Sequence, residues 1–316
     1  MTIPSHYSFT RYLAAKKGID DRALNKDVWR ALASTLPAGL PETPLRVLEI
    51  GAGIGTMLER LLEWGLFDAA EYTALDIQPE NLAVIPGRLS RWAELHGGSL
   101  SNRPDGRLAI ACSGRQVLLE TAMADLFDFI DRAKEKRSWD LLIAHAFLDL
   151  VDLPTVLPLL FQLARPGGWF YFTINFDGVT QFEPQIDPEL DDLVQRLYHR
   201  TMDERQVGGR ASGDSRAGRH LFANLQDAGW QVLAAGASDW VVYPGPGGYP
   251  ADEAYFLHFI IHTIDLALQA CPEIAPELLR RWVSARQAQI ERAELVFITH
   301  QLDFTGRVGT PPAPGA

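Results

Sequence analysis

The chain has 316 residues, 47% of them hydrophobic and 22% charged, with a formal net charge of −11 at pH 7. That length and apolar content support a full hydrophobic core, while the acidic balance repels polyanions and weighs against a nucleic-acid partner. Two distant cysteines, Cys112 and Cys271, exclude a disulfide framework and fit a reducing cytoplasm.

Residues 1–10 are polar and lack the apolar core of a signal peptide. An amphipathic helix is predicted from Asp20 to Leu36, with Asp20 or Asp21 as its cap and Pro37 as its stop. Leu45 to Ile50 reads as a strand that ends in a Gly-rich turn, followed by a helix from Thr56 to Trp64. Strands at Tyr72–Leu75, Val117–Ala122, Trp139–Ala144 and Trp169–Ile174 then alternate with helices at Glu80–Leu95, Leu126–Glu135 and Thr155–Ala164. Such alternation implies a doubly wound α/β fold with a mostly parallel sheet covered on both faces. The polar stretch from His96 to Gly114 is an insertion or hairpin ahead of the third strand.

Beyond Phe176 the pattern loosens into a helix at Pro188–Arg200 and the run GGRASGDSRAG, which reads as a flexible loop. A helix at Arg219–Asp227, a strand at Gln231–Val242, helices at Asp252–Ala270 and Ala275–Arg292 and a strand at Leu295–Leu302 complete the chain. Tyr255 to Ala270 is the longest apolar stretch, but it is short and contains His258, His262 and Asp265, so no membrane span is expected. We read residues 1–44 as a helical cap and 45–304 as one α/β domain with lid insertions near 177–218 and 243–292. Residues 305–316 read as a flexible tail.

The first strand and its turn read VLEIGAGIGTM, Val47 to Met57. Glycines 51, 53 and 55 allow a sharp turn and a close approach of backbone to ligand. A dinucleotide fingerprint wants its third glycine at position 56, where this chain has Thr56. The acidic E-x-G-x-G-x-G pattern instead resembles the first motif of the class I S-adenosylmethionine-dependent methyltransferases. Further matches follow in order: Asp76 ending YTALDI, Asp125 in MADLFDF, the segment AHAF after the fourth strand, and LARPGGWFYFT.

The resemblance covers Leu45 to Phe176 and implies a Rossmann-like sheet of seven strands, with the N-terminal helix and a late helical cap around it. It also implies S-adenosyl-L-methionine as cofactor, methyl transfer to a small-molecule acceptor as activity, and no required metal. The cofactor positions it implies are Tyr12, Arg22, Glu49, Gly51, Ala52, Gly53, Thr56, Met57, Asp76, Ile77, Asp125, Leu126, Ala144, His145 and Ala146. Asp76 would accept from the ribose diol, Asp125 would meet adenine or cap the following helix, and Arg22 would meet the cofactor carboxylate or solvent. Two departures stand out: Asp76 and Asp125 are unusually far apart, and AHAF replaces the Asn/Asp-Pro-Pro-Tyr/Phe motif of enzymes that methylate nucleobases or glutamine.

No general base is singled out. His258 and His262 share a helix face at i, i+4 spacing, where core or lid-lining packing is the simpler reading; one of them, or His300 on the last strand, is a candidate base. Arg210, Arg216, Arg219 and His220 would give a positive rim suited to an anionic acceptor, or else a solvated loop. A nicotinamide oxidoreductase, transfer of another group from the same cofactor, and a non-catalytic binding module are the alternatives. Oligomeric state is left open.

Overall fold

The computed structural model describes residues 3–133 and 138–309. Helices α1 (Phe9–Ala23) and α2 (Lys26–Thr35) lead into β1 (Leu45–Ile50), α3 (Thr56–Trp64), β2 (Ala69–Asp76) and α4 (Pro79–Leu95). A hairpin of β3 (Ser99–Asn102) and β4 (Leu108–Cys112) precedes β5 (Arg115–Met123), α5 (Leu126–Ala133), β6 (Trp139–His145) and α6 (Leu153–Leu163). Then come β7 (Ala164–Glu183), α7 (Pro188–Asp203), β8 (Gln206–Val207), β9 (Arg210–Ala211), α8 (Ala217–Asp227) and β10 (Trp230–Ala237). The chain closes with β11 (Trp240–Val242), α9 (Glu253–Leu268), α10 (Pro276–Glu291) and β12 (Val296–Val308).

The main sheet has the order β10-β12-β7-β6-β1-β2-β5-β4-β3, with β11 paired to β12. β1 lies parallel between β2 and β6, β5 is parallel to β2, and β7 is parallel to β6. β12 runs antiparallel between β7 and β10. Along β1 and β6 the side chains alternate, so Val47, Leu141 and Ile143 enter one core and Leu48, Ile50, Leu142 and Ala144 the other. Both faces are therefore buried, as a doubly wound sheet requires.

The sheet exceeds the seven strands expected because β3, β4 and β11 add to them. The His96–Gly114 insertion folds back antiparallel onto β5, and the expected Gln231–Val242 strand breaks at Ser238 and Asp239, sending Trp240–Val242 onto the start of β12. β7 and β12 also overrun their expected ends. They pair with each other from Trp169↔Arg307 to Glu183↔Val296, with register shifts that leave Asp177 to Val179 unpaired. This two-stranded extension carries the packing of α7, α9 and α10. Residues 305–308 consequently belong to β12 and not to the expected tail, whose remainder from Thr310 onward lies outside the described residues.

The helix expected over Asp20–Leu36 is two helices. Ser8 caps α1, and the chain breaks at Leu24–Asn25, where Asn25 Oδ1 accepts from the amides of Asp27 and Val28 to start α2. Asp20 is no cap: it sits inside α1 at 1% exposure. The GGRASGDSRAG run is likewise ordered in part, forming the β8–β9 hairpin. Among the described residues no helix is long and apolar enough to cross a membrane.

Candidate active site

The Gly-rich turn leaves β1 at the carboxyl edge of the sheet. Gly51, Gly53 and Gly55 all hold positive φ, at 68°, 54° and 82°, a region that side-chain-bearing residues avoid. Gly51 is also pressed by Phe147: a Cβ there would stand 2.6 Å from the ring. Gly55 forms the left-handed entry to α3, so Thr56 opens that helix. Leu13 of α1 covers the turn from above, 3.2 Å from where a Cβ at Gly53 would lie.

Asp76, at the end of β2, reaches into this turn. Its Oδ2 accepts from the Gly53 amide at 2.7 Å, and its Oδ1 from the Gln78 amide at 2.8 Å and Asn81 Nδ2 at 3.3 Å. A carboxylate offers about four acceptor positions, so one remains after these three donors. The two bonds expected to a ribose diol therefore require one protein donor to yield or to share. The β5 end closes on the same point, because the Ala124 amide donates to the Asp76 carbonyl at 3.3 Å. Next to it Asp125 caps α5 through Phe127 N at 2.8 Å, the helix-capping role foreseen as one of two. Ile77 is exposed and Leu126 buried beside them.

Beneath the turn, Glu49 is buried and accepts from Tyr72 Oη at 2.6 Å. Burial pushes its pKa up to about 8, with the Tyr72 hydrogen bond and Arg60 opposing. A carboxylic acid held neutral in this way is a ready partner for a cation brought to the loop.

The β6 end is held by a buried charge cluster that the sequence reading missed. His145 Nδ1 lies 2.8 Å from Thr173 Oγ1, and Nε2 lies 3.0 Å from Asp20 Oδ2 and 3.3 Å from Arg60 Nη1. The shorter Nε2 contact makes that nitrogen a donor to Asp20, leaving Nδ1 to accept from the Thr173 hydroxyl. Burial, with Lys16 nearby, lowers the His145 pKa to about 4. Asp20 also accepts from Lys16 Nζ (2.7 Å), Arg60 Nη2 (3.2 Å) and Trp240 Nε1 (2.9 Å). Burial alone would raise the Asp20 pKa, but Lys16, His145 and Arg60 together hold it well below the ordinary carboxylate range. One acid thus ties α1, α3, β6 and β11 together. Just beyond, Ala146 takes φ of 51° and donates to the Thr173 carbonyl at 2.8 Å, a strained position at the mouth of the site.

Most of the expected cofactor positions are thereby brought to one edge: Glu49, Gly51, Ala52, Gly53, Thr56, Asp76, Ile77, Asp125, Leu126, His145 and Ala146. Met57 and Ala144 are fully buried in the two cores, so they support the site from behind. Arg22 Nη1 donates to Glu253 Oε1 at 2.8 Å and links α1 to α9. Tyr12 stacks on Phe256 and Phe259 of α9 at ring distances of 5.5 and 4.3 Å. Together these contacts make α1 and α9 one roof.

The three candidate histidines are dispersed. His258 is 1% exposed, and neither ring nitrogen has a partner among the described residues; burial lowers its pKa. His262 stacks flat on Tyr7 at 4.0 Å. His300 lies 2.8 Å from Asp239 and 3.6 Å from Asp177; the burial alternation of β12 turns it away from the face bearing Thr299 and Gln301. None of them hydrogen-bonds to the Gly turn. The proposed basic rim is also neutralised in part, because Arg219 pairs with Asp177 at 2.7 Å and His220 with Asp214 at 2.6 Å.

A family profile described as a methyltransferase domain matches residues 21–235. Among curated proteins none matches the chain. Among solved structures it is similar to a candidate methyltransferase from Bacillus halodurans, at 10% identity over 90% of this chain and 100% of that one, with a TM-score of 0.48. It is similar also to a geranyl diphosphate methyltransferase solved with S-adenosylmethionine, at 10% identity over 96% and 92%, TM-score 0.43. A phosphoethanolamine N-methyltransferase 2 from Haemonchus contortus is a third, at 13% identity over 98% of this chain and 61% of that one, TM-score 0.42. The family profile spans well over half of the chain and includes the Gly turn, Asp76, Asp125 and the β6 end, so the chain belongs to the methyltransferase-domain family, the class I S-adenosylmethionine-dependent enzymes.

Proposed function

We propose that S-adenosylmethionine lies along the carboxyl ends of β1, β2, β5 and β6, and that its methyl passes to a small-molecule acceptor held beneath α1, α7 and α9. The observation that carries this reading is the bond from the Gly53 amide to Asp76, which joins the glycine turn and the second-strand acid into one cradle. The residues fit the cofactor. The glycine turn bares its backbone through three positive φ angles, Asp76 retains an acceptor position for a hydroxyl, and the neutral Glu49 awaits a positive charge. When bound, the cofactor supplies a methyl group made electrophilic by a positive sulfur; the protein's task is alignment and exclusion of water. Leu13 and the α1–α9 roof serve that exclusion.

In this reading residues 1–44 and the segments near 177–218 and 243–292 form the roof, and the α/β domain carries the cofactor. Pairing of Arg219 with Asp177 removes part of the support for an anionic acceptor. The unpaired cysteines, Cys112 and Cys271, fit a cytoplasmic setting. The test is titration calorimetry with S-adenosylhomocysteine, followed by mass analysis of product formed from S-adenosylmethionine and an acceptor panel. A mass gain of one methyl is expected; gain of an aminocarboxypropyl group would reassign the transferred group.

A further inference from the structure

Beneath the helices that cover the β6 end lie polar atoms that the fold leaves unanswered. Asp149 lies on the 3₁₀ turn Leu148–Leu150 that follows Phe147. Its Oδ1 is buried and has no hydrogen-bond partner among the described residues. Its charge is felt by the hydroxyls of Tyr12 and Tyr198, so α1, the turn and α7 converge on it. Arg205, Lys16 and the residue's own backbone amide all act on the carboxylate, yet none bonds Oδ1; Arg205 Nε donates to the Ser212 carbonyl at 2.6 Å and Lys16 Nζ to Asp20 at 2.7 Å.

The β7–β12 extension lies under the same roof of helices. Thr299 pairs with Thr180 on one side and with Trp240 on the other, and Gln301 pairs with Phe176. Cross-strand partners share a face. That face is the one under the roof, because His199 of α7 bonds Thr180 at 3.1 Å and contacts Phe176, and Phe256 of α9 meets Trp240. Thr299 Oγ1 and Gln301 Oε1 are buried there without partners among the described residues, at 3% and 2% residue exposure.

A buried polar atom left unpaired costs about 1–3 kcal/mol, and two of these three are purely acceptors. The matching ligand must bring N–H or O–H donors. Tyr12 stacks on both Phe256 and Phe259, which makes the roof aromatic. A carboxylate oxygen without a partner and two further unanswered polar atoms beneath an aromatic roof suit a ligand that donates N–H bonds and carries positive charge. From this geometry, and resting on the proposed methyl transfer, we infer that the acceptor is a primary or secondary amine bound as a cation, with Asp149 as its counter-charge. Burial lifts the Asp149 carboxyl to a pKa of about 6 against Arg205 and Lys16, as expected of a carboxylate short of a cation.

The chemistry balances with groups already named. The ammonium gives one proton to the Asp149 carboxylate, and the freed nitrogen lone pair attacks the methyl carbon. The N–C bond forms as the C–S bond breaks, and its electron pair stays on sulfur, which becomes a neutral thioether. Nitrogen now carries the positive charge as a methylammonium, and Asp149 passes its proton to solvent when the product leaves.

The test uses the full chain saturated with S-adenosylhomocysteine, titrated by calorimetry at pH 7.5 with phenethylamine, tyramine and octylamine. Each is matched by the alcohol and the carboxylate of the same skeleton. At least one amine is expected to bind at least about tenfold tighter than its matched alcohol and carboxylate. Asp149→Asn, nearly isosteric, removes that preference, and Gln301→Met weakens the amine at least about threefold. In both variants S-adenosylhomocysteine affinity stays within about threefold of wild type. Equal or tighter binding of the alcohols or carboxylates, no binding of any amine, or an amine preference that survives in Asp149→Asn overturns the inference. Failure of S-adenosylhomocysteine itself to bind the wild-type chain overturns the reading beneath it instead.

Discussion

Removing the Asp76 carboxylate should disable the site through two separable effects. The side chain is 8% exposed and answers three protein donors, two of them backbone amides. In Asp76→Ala the Gly53 amide loses the partner that fixes the height of the turn, and the ligand loses an anionic acceptor. A charge-assisted hydrogen bond contributes about 1.5–3 kcal/mol net, and part of the Gly53 loss is recovered from water because the turn lies at the edge of the sheet. A cofactor penalty of about 2–4 kcal/mol follows, or at least about thirtyfold in affinity. The Gln78 and Asn81 bonds are lost whether or not ligand is present, so stability should fall as well, by about 1–3 kcal/mol. Titration calorimetry with S-adenosylhomocysteine reads the first effect and denaturant unfolding the second. A folded variant whose affinity falls less than threefold would refute the reasoning, since the carboxylate would then anchor the turn without reaching the ligand.

Four further outcomes are expected. Gly53→Val, at φ 54° and against Leu13, should reshape the turn at a cost of about 1–2 kcal/mol to the fold while abolishing S-adenosylhomocysteine binding; near-wild-type calorimetric binding would remove the turn from the site. Asp20→Ala leaves Arg60 and Lys16 buried without their shared partner and should destabilise by about 3–5 kcal/mol. Because Asp20 is held below its unfolded pKa of about 3.9, its contribution in the wild type is present above that pH and lost as pH falls below it, and an unchanged acid limb in the variant would count against this. Glu49, raised to about 8, favours the fold fully below its unfolded pKa of about 4.3 and loses that contribution as pH rises toward 8. If the cofactor's cation ionises it, binding at pH 7 releases up to about one proton, read from calorimetry in buffers of different ionisation enthalpy; release undiminished in Glu49→Gln would contradict this. His258→Leu replaces two unpartnered ring nitrogens and should stabilise by about 1–3 kcal/mol. With its pKa lowered by burial, His258 penalises the fold as pH drops below about 6.5, and a variant profile that keeps the wild-type slope there would show that another group is responsible.

The legible part of the molecule was local. The bounds of α3 were read from the sequence as found, because Gly55 and Gly65 punctuate it at both ends, and the buried central strands announced themselves as short apolar runs between turn residues. Glu49, the three glycines, Asp76 and Asp125 could be placed at one edge because the doubly wound topology sends the ends of consecutive parallel strands there. What escaped depends on partners distant in sequence. LAAKKGIDD looks like a solvated helix terminus, yet Lys16 and Asp20 are buried because Arg60 and His145 arrive from α3 and β6. The β7–β12 extension could not be seen in NFDGVTQFE, whose apolar positions become meaningful only once β12 lies beside it. Asp149 and Gln301 carry no local signal at all; only the absence of partners in the folded chain singles them out. A glycine turn leaves its trace in the residue spacing, whereas contacts assembled from distant elements leave none.

We propose the glycine turn and Asp76 as the cofactor site of this methyltransferase. Titration calorimetry of the wild-type chain with S-adenosylhomocysteine, beside an identical titration with NAD⁺ and NADP⁺, tests it most directly. We predict saturable one-to-one binding of S-adenosylhomocysteine, lost in Gly53→Val, and no heat from either dinucleotide. Dinucleotide binding with S-adenosylhomocysteine silent would contradict the account.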